Sequence, residues 1–234
     1  MLAFPSRTPR LLFLAMLTSA AATLAPLVAA SSAAAYDAPR VFKEMCAQCH
    51  GQNGEGSVFN HAPAIAGQEQ WYLVNQLVKF RDGIRGQHPK DIQGMKMYAI
   101  GRYFRAEGNV EAIAGYVAGL PVAVETDDPM IPHPASHGVP VGVGDAARGQ
   151  PAFAVCAACH GADGLGMQQL NAPRIAGQSS WYVLHQLQNF KSGIRGGDAV
   201  KDPIGMSMRA IATTLDDQTM LDVAAYVARL SPTK

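Results

Sequence analysis

The sequence predicts an all-α protein built from two tandem helical domains. Three observations lead there. A block of about 85 residues occurs twice, most features returning 110 positions later and the methionine pair 111. Within each copy, apolar residues recur at helical spacing. No stretch alternates polar and apolar residues as a half-buried strand does.

In chain order, residues 1–35 read as an export signal. Arg7 and Arg10 precede the apolar run Leu11 to Ala30, and Ala33-Ala34-Ala35 supplies the small residues of a cleavage site before Tyr36. An uncleaved membrane anchor is the alternative reading of that run. The first domain is placed at 36–121, a linker at 122–143 and the second domain at 144–234. The linker is rich in Pro, Asp, His and Gly and has no periodicity. Trp71 to Asp82 carries apolar residues on one helical face and meets Gly83 where a C-terminal cap belongs; Trp181 to Ser192 with Gly193 repeats this. Val110 to Leu120 and Asp217 to Leu230 read as closing helices. Domains this small have marginal cores by themselves, so a large apolar prosthetic group is a plausible nucleus for each.

The chemistry lies in Cys46-Ala-Gln-Cys49-His50 and Cys156-Ala-Ala-Cys159-His160. A C-x-x-C-H run marks c-type haem attachment. On a helix, positions i, i+3 and i+4 share a face. Two thiols therefore converge to form thioethers with the haem vinyl groups while the histidine Nε2 reaches iron. The chain has four cysteines and these motifs use all of them. Zinc would draw four ligands into one site, whereas each cysteine pair here has its own histidine; a redox-active dithiol is the other competing reading. Two covalent c-type haems are the expectation. With Arg7 and Arg10 removed, the charges nearly balance. No basic stripe suggests nucleic acid.

The sixth iron ligand decides what such a haem does, because an open position favours binding or chemistry and a closed Met/His site favours electron transfer. Each repeat offers a methionine pair at a matching place, Met95-Lys-Met97 and Met206-Ser-Met208. The spacing alone leaves open which member binds.

The full series is C-x-x-C-H, Pro-x-Ile-Ala-Gly-Gln, a tyrosine-bearing helix ending Gly-x-Arg, the methionine pair and a closing Ala-x-Tyr-Val-Ala helix. It occurs twice and resembles the di-haem cytochromes of the c4 type, two class I cytochrome c domains each wrapped around one covalent haem. The resemblance implies Met97 and Met208 as the second axial ligands, opposite His50 and His160. It implies Pro63 and Pro173 as carbonyl acceptors for the Nδ1–H of those histidines, and Tyr72 and Tyr182 as aromatics near a haem edge. Trp71 and Trp181 fit a core role as well as a haem role. Arg85 and Arg195 read either as propionate partners or as solvated arginines. His61, His88, His133, His137 and His185 each occur in one repeat only and read as surface or linker residues.

The repeats also differ. Gly149, suited to a close helix crossing, aligns with Pro39, which predicts a shorter and more loosely packed first N-terminal helix. Arg174 stands where the first repeat has Ala64, and a cation there is expected to raise the potential of the second haem. The implied function is a non-enzymatic electron carrier of the bacterial periplasm. Its redox protein partners would be a quinol-oxidising complex or dehydrogenase as donor and a membrane oxidase as acceptor. Peripheral contact with a membrane is left open. A dedicated subunit of a periplasmic dehydrogenase, for example a sulfide-oxidising flavocytochrome, is the alternative. A di-haem peroxidase would need one displaceable distal ligand.

Overall fold

The computed structural model describes residues 36–123 and 144–233. The expected signal segment, most of the linker, His133 and His137 lie outside these residues. Tyr36–Lys234 forms one compact unit. Among the described residues there are ten α-helices and no strand, only two isolated antiparallel bridges, Ser57 with Ala62 and Met167 with Ala172.

The first domain runs α1 (Ala38–Val41), a π-helical turn (Phe42–Cys46), α2 (Ala47–His50), α3 (Gln70–Arg81), α4 (Ile92–Gly101) and α5 (Asn109–Ala118). The second runs α6 (Ala146–Ala152), α7 (Ala154–His160), α8 (Ser180–Lys191), α9 (Pro203–Ala212) and α10 (Asp217–Arg229). Aspartates start several of them. Asp37, Asp91, Asp145, Asp202 and Asp216 each accept a backbone N–H of the first turn, satisfying a donor that the helix itself leaves unpaired. Gly83 and Gly193, at φ of 72° and 77°, follow the ends of α3 and α8 in the left-handed conformation that stops a helix.

The N-terminal and closing helices cross in each domain through equivalent ring pairs. Phe42 and Tyr116 have centroids 5.5 Å apart, and Phe153 and Tyr226 5.3 Å. Gly149 sits at the second crossing. A Cβ there would collide with the Asp222 carbonyl and lie 2.9 Å from Tyr226 Cβ. The first helical stretch is shorter, α1 covering Ala38–Val41 where α6 covers Ala146–Ala152, and α1 meets α5 less extensively than α6 meets α10. The expected shortening is thus present.

Candidate functional site: two haem cradles sharing one cavity

Each C-x-x-C-H run closes a helix, α2 or α7, and turns out of it at a glycine with positive φ, Gly51 or Gly161. His50 and His160 are buried, and their Nδ1 atoms lie 2.8 and 2.7 Å from the carbonyl oxygens of Pro63 and Pro173. With the proton on Nδ1 donated to a carbonyl, Nε2 keeps its lone pair for iron, which is how a second hydrogen bond fixes the tautomer of a metal-ligating histidine. Burial lowers the pKa of both rings, against the opposing effect of the proline carbonyls, so both rest neutral.

No two of the four cysteines pair in a disulfide. Burial pushes Cys46 and Cys156 up to about 11. Among the described residues no three His, Cys, Asp or Glu side chains are grouped as metal ligands.

A single cavity of about 500 Å³ runs through both domains. Cys46, Cys49, His50 and Met97 line it from one side, and Cys156, Cys159, His160 and Met208 from the other. Its wall is mainly apolar, including Ile100, Phe104, Leu187 and Phe190. Met95 and Met206 do not line it, and Met95 is exposed. The residues fit haem in one further respect. Buried Arg85 Nε and Trp181 Nε1, both on residues lining the cavity, have no hydrogen-bond partner, so the wall retains donors for an anionic group such as a propionate. Haem supplies a one-electron iron couple; the chain supplies its attachment, its proximal nitrogen and its burial.

Between the cradles the domains interlock with near two-fold symmetry. Arg85 donates to Gln76 of its own domain and to Tyr182 and Gln186 of the other, at 3.0, 3.3 and 2.8 Å. Arg195 donates to Gln186, Tyr72 and Gln76 at 2.9, 3.2 and 3.0 Å. Each guanidinium also stacks 4.5 Å above its own Phe80 or Phe190 ring. The solvated-arginine reading is therefore corrected: both arginines tie the domains together. Burial opposes ionisation of the Tyr72 phenol, yet Arg195 and Arg85 hold its pKa below the ordinary value.

Two histidines also depart from expectation. His185 is buried on α8 and accepts from Asn189 Nδ2 at 3.1 Å, so it is neither a surface nor a linker residue; α8 turns that face toward the cavity. His61 is half-buried, 3.0 Å from Gln93 Nε2 and with its ring 6.2 Å from Trp181 of the second domain. His88 is exposed, as expected. Trp71 and Trp181 both line the cavity. Arg174 is not an isolated cation: its guanidinium donates to Ala176 O and, across the interface, to Ala66 O, and Glu69 lies near enough to oppose the pKa drop that burial causes.

Sequence reasoning missed three interface features. Gln68 and Gln178 donate to Arg174 O and Ala64 O of the opposite domain at 3.0 and 2.9 Å. Gln76 and Gln186 serve both arginines. Lys79 forms a 2.6 Å ion pair with Asp202. The glutamines repeat at the common offset and so carried a signal. Lys79 aligns with Asn189 and carried none.

A fold of small helical domains, each with two thiols and a buried neutral histidine at a cavity, defines a c-type cytochrome. The chain belongs to the cytochrome c family, whose description matches residues 35–121 and again 146–231, and it is of the di-haem, cytochrome c4 type. Both C-x-x-C-H runs hold covalent haem, and the chain is an electron carrier. It is 32% identical over 218 residues to a thiosulfate dehydrogenase electron acceptor of Thiomonas intermedia, covering 92% of each chain. It is 28% identical over 187 residues to cytochrome c4 of Azotobacter vinelandii, covering 80% of this chain and 84% of that one. The solved thiosulfate dehydrogenase of Marichromatium purpuratum superposes with a TM-score of 0.65 at 27% identity. That match takes in 84% of this chain, which spans 40% of the larger one.

Proposed function

We propose that this cytochrome works in the bacterial periplasm, taking electrons one at a time from a periplasmic dehydrogenase and passing them to a respiratory acceptor such as a terminal oxidase. Residues 1–35 are the cleaved export signal, and Met97 and Met208 complete the two iron coordination spheres. The carrying observation is the single cavity lined by both Cys/Cys/His sets, with the domains locked over it. Two centres enclosed together pass an electron between them without a diffusing intermediate. The methionines facing the cavity support closed, six-coordinate sites, which suit electron transfer better than peroxide chemistry. The likeness to an electron acceptor of thiosulfate dehydrogenase favours a dehydrogenase over a quinol-oxidising complex as the donor. Docking to such partners would use small, transient interfaces.

The test mixes the oxidised protein with a thiosulfate dehydrogenase and thiosulfate and follows the reduced haem bands. Reduction of both haems at a rate set by dehydrogenase concentration is expected, followed by reoxidation with oxidase-containing membranes. Failure of the dehydrogenase to reduce it, with ready reduction by a quinol-oxidising complex, would move the donor assignment. Peroxide turnover by the protein alone would overturn the carrier reading.

A further inference from the structure

Each domain grips the segment that orients the other domain's proximal histidine. Pro63 O and Pro173 O accept from His50 and His160, and one residue further on Ala64 O and Arg174 O accept from Gln178 and Gln68 across the interface. That much is reciprocal. The reciprocity breaks at Glu69, whose Oε1 accepts the backbone N–H of Arg174 at 3.0 Å. The aligned residue in the second domain is Ser179, and its buried Oγ has no partner.

The N–H of Arg174 and the C=O of Pro173 belong to one peptide group. Glu69 therefore accepts from one end of the amide whose other end accepts the His160 proton over 2.7 Å. The geometry points to Glu69, in the first domain, as a positioning residue that sets the donor strength of the second haem's proximal histidine through peptide 173–174. A carboxylate on the N–H polarises the amide, and its carbonyl becomes a stronger acceptor. A stronger pull on Nδ1–H gives the imidazole more imidazolate character and makes Nε2 a better donor. A better donor favours ferric over ferrous iron and lowers the potential. The first haem has no such carboxylate on its relay. Arg174 beside the same peptide acts in the opposite sense, so its cationic effect on the second haem is offset at close range by Glu69.

This inference rests on the two-haem assignment, which a mass of the holoprotein checks independently. The test uses Glu69→Gln, which keeps the side-chain size, together with Glu69→Ala and the mirror control Ser179→Ala, all in the full holoprotein. Redox titration with each couple assigned through its own haem methyl resonances is the first readout. The second couple is expected to move upward in Glu69→Gln and further in Glu69→Ala, by more than the first couple moves, while Ser179→Ala shifts neither. The second readout is proton NMR of the reduced protein. There the His160 Nδ1–H resonance should shift and exchange faster with solvent in the Glu69 variants, while that of His50 holds. Equal shifts of both couples would mean a charge acting through space and would overturn the relay, as would an unmoved His160 Nδ1–H.

Discussion

Lys79→Met would break the most enclosed ion pair between the domains, and its cost can be worked from the structure. Lys79 Nζ lies 2.6 Å from Asp202 Oδ1, with side chains 13% and 6% exposed. Burial pushes the Asp202 carboxyl up, but the Lys79 hydrogen bond, the Gly205 N–H and the Arg195 charge together hold it below the ordinary carboxylate value. Removing one partner of a buried pair leaves an uncompensated charge and costs about 3–5 kcal/mol. The remaining Gly205 N–H at 2.8 Å and the Arg195 field place this case near the lower figure. Urea unfolding of the holoprotein, followed by tryptophan fluorescence, reads the loss, since Trp71 and Trp181 line the haem cavity. The double variant Lys79→Met/Asp202→Asn should regain at least half of it because no bare charge remains. The exposed Lys201–Asp198 pair, 3.8 Å apart, serves as the control, and Lys201→Met should cost well under about 1 kcal/mol. The pH dependence has a definite sign. A carboxylate whose folded pKa is depressed contributes fully above its unfolded value near 3.8 and loses that contribution as pH falls through the folded value. The gap between wild type and Lys79→Met should therefore narrow below about pH 4. A cost for Lys79→Met under about 1 kcal/mol at neutral pH would show that the pair behaves as a surface pair, and the reasoning would fail.

Met97→Ala and Met208→Ala should each remove part of the thioether-to-iron charge-transfer band of the oxidised protein, and Met95→Ala and Met206→Ala should leave it; the reverse pattern would reassign the ligands. Gly149→Ala drives a Cβ into the Asp222 carbonyl and against Tyr226, so it should cost about 1–3 kcal/mol in urea unfolding, with the damage confined to the second domain. Asp222 is pushed down to about 2 by hydrogen bonds from Arg148, with the Asp145 N–H and Gln218 adding to it. Its stabilising contribution is therefore complete above pH 3.8 and fades as pH falls through about 2; circular dichroism should show Asp222→Asn less stable at neutral pH, with the difference lost at the acid end.

The helices, the repeat and the haem cradles were legible because local chemistry dictates them. Cysteine and histidine at i, i+3 and i+4 must share a helix face, and α3 and α8 begin and end within a residue of where their apolar stripes and glycines place them. The proline carbonyls followed from the family resemblance and stand at hydrogen-bonding distance. What the sequence withheld is the surface on which the two repeats meet. A repeat alignment compares each residue with its counterpart, whereas the contacts run from one repeat to a different position in the other. Arg85 aligns with Arg195 but touches Tyr182 and Gln186; Gln68 aligns with Gln178 but holds Arg174. Polar residues that would be solvated in a lone domain are buried once two copies pack, which is why a solvated Arg85 stood as one of the two sequence readings. The departures from symmetry then acquire meaning in pairs. Lys79 replaces an asparagine and meets Asp202; Glu69 replaces a serine and meets Arg174, which itself replaces an alanine. Glu69 and Arg174, both non-repeating, face each other across the interface, whereas Lys79 meets an aspartate that the first repeat matches with Asp91 at the start of α4. The surroundings of the two cradles thus differ through contacts made across the joint, while their thiols and histidines are the same.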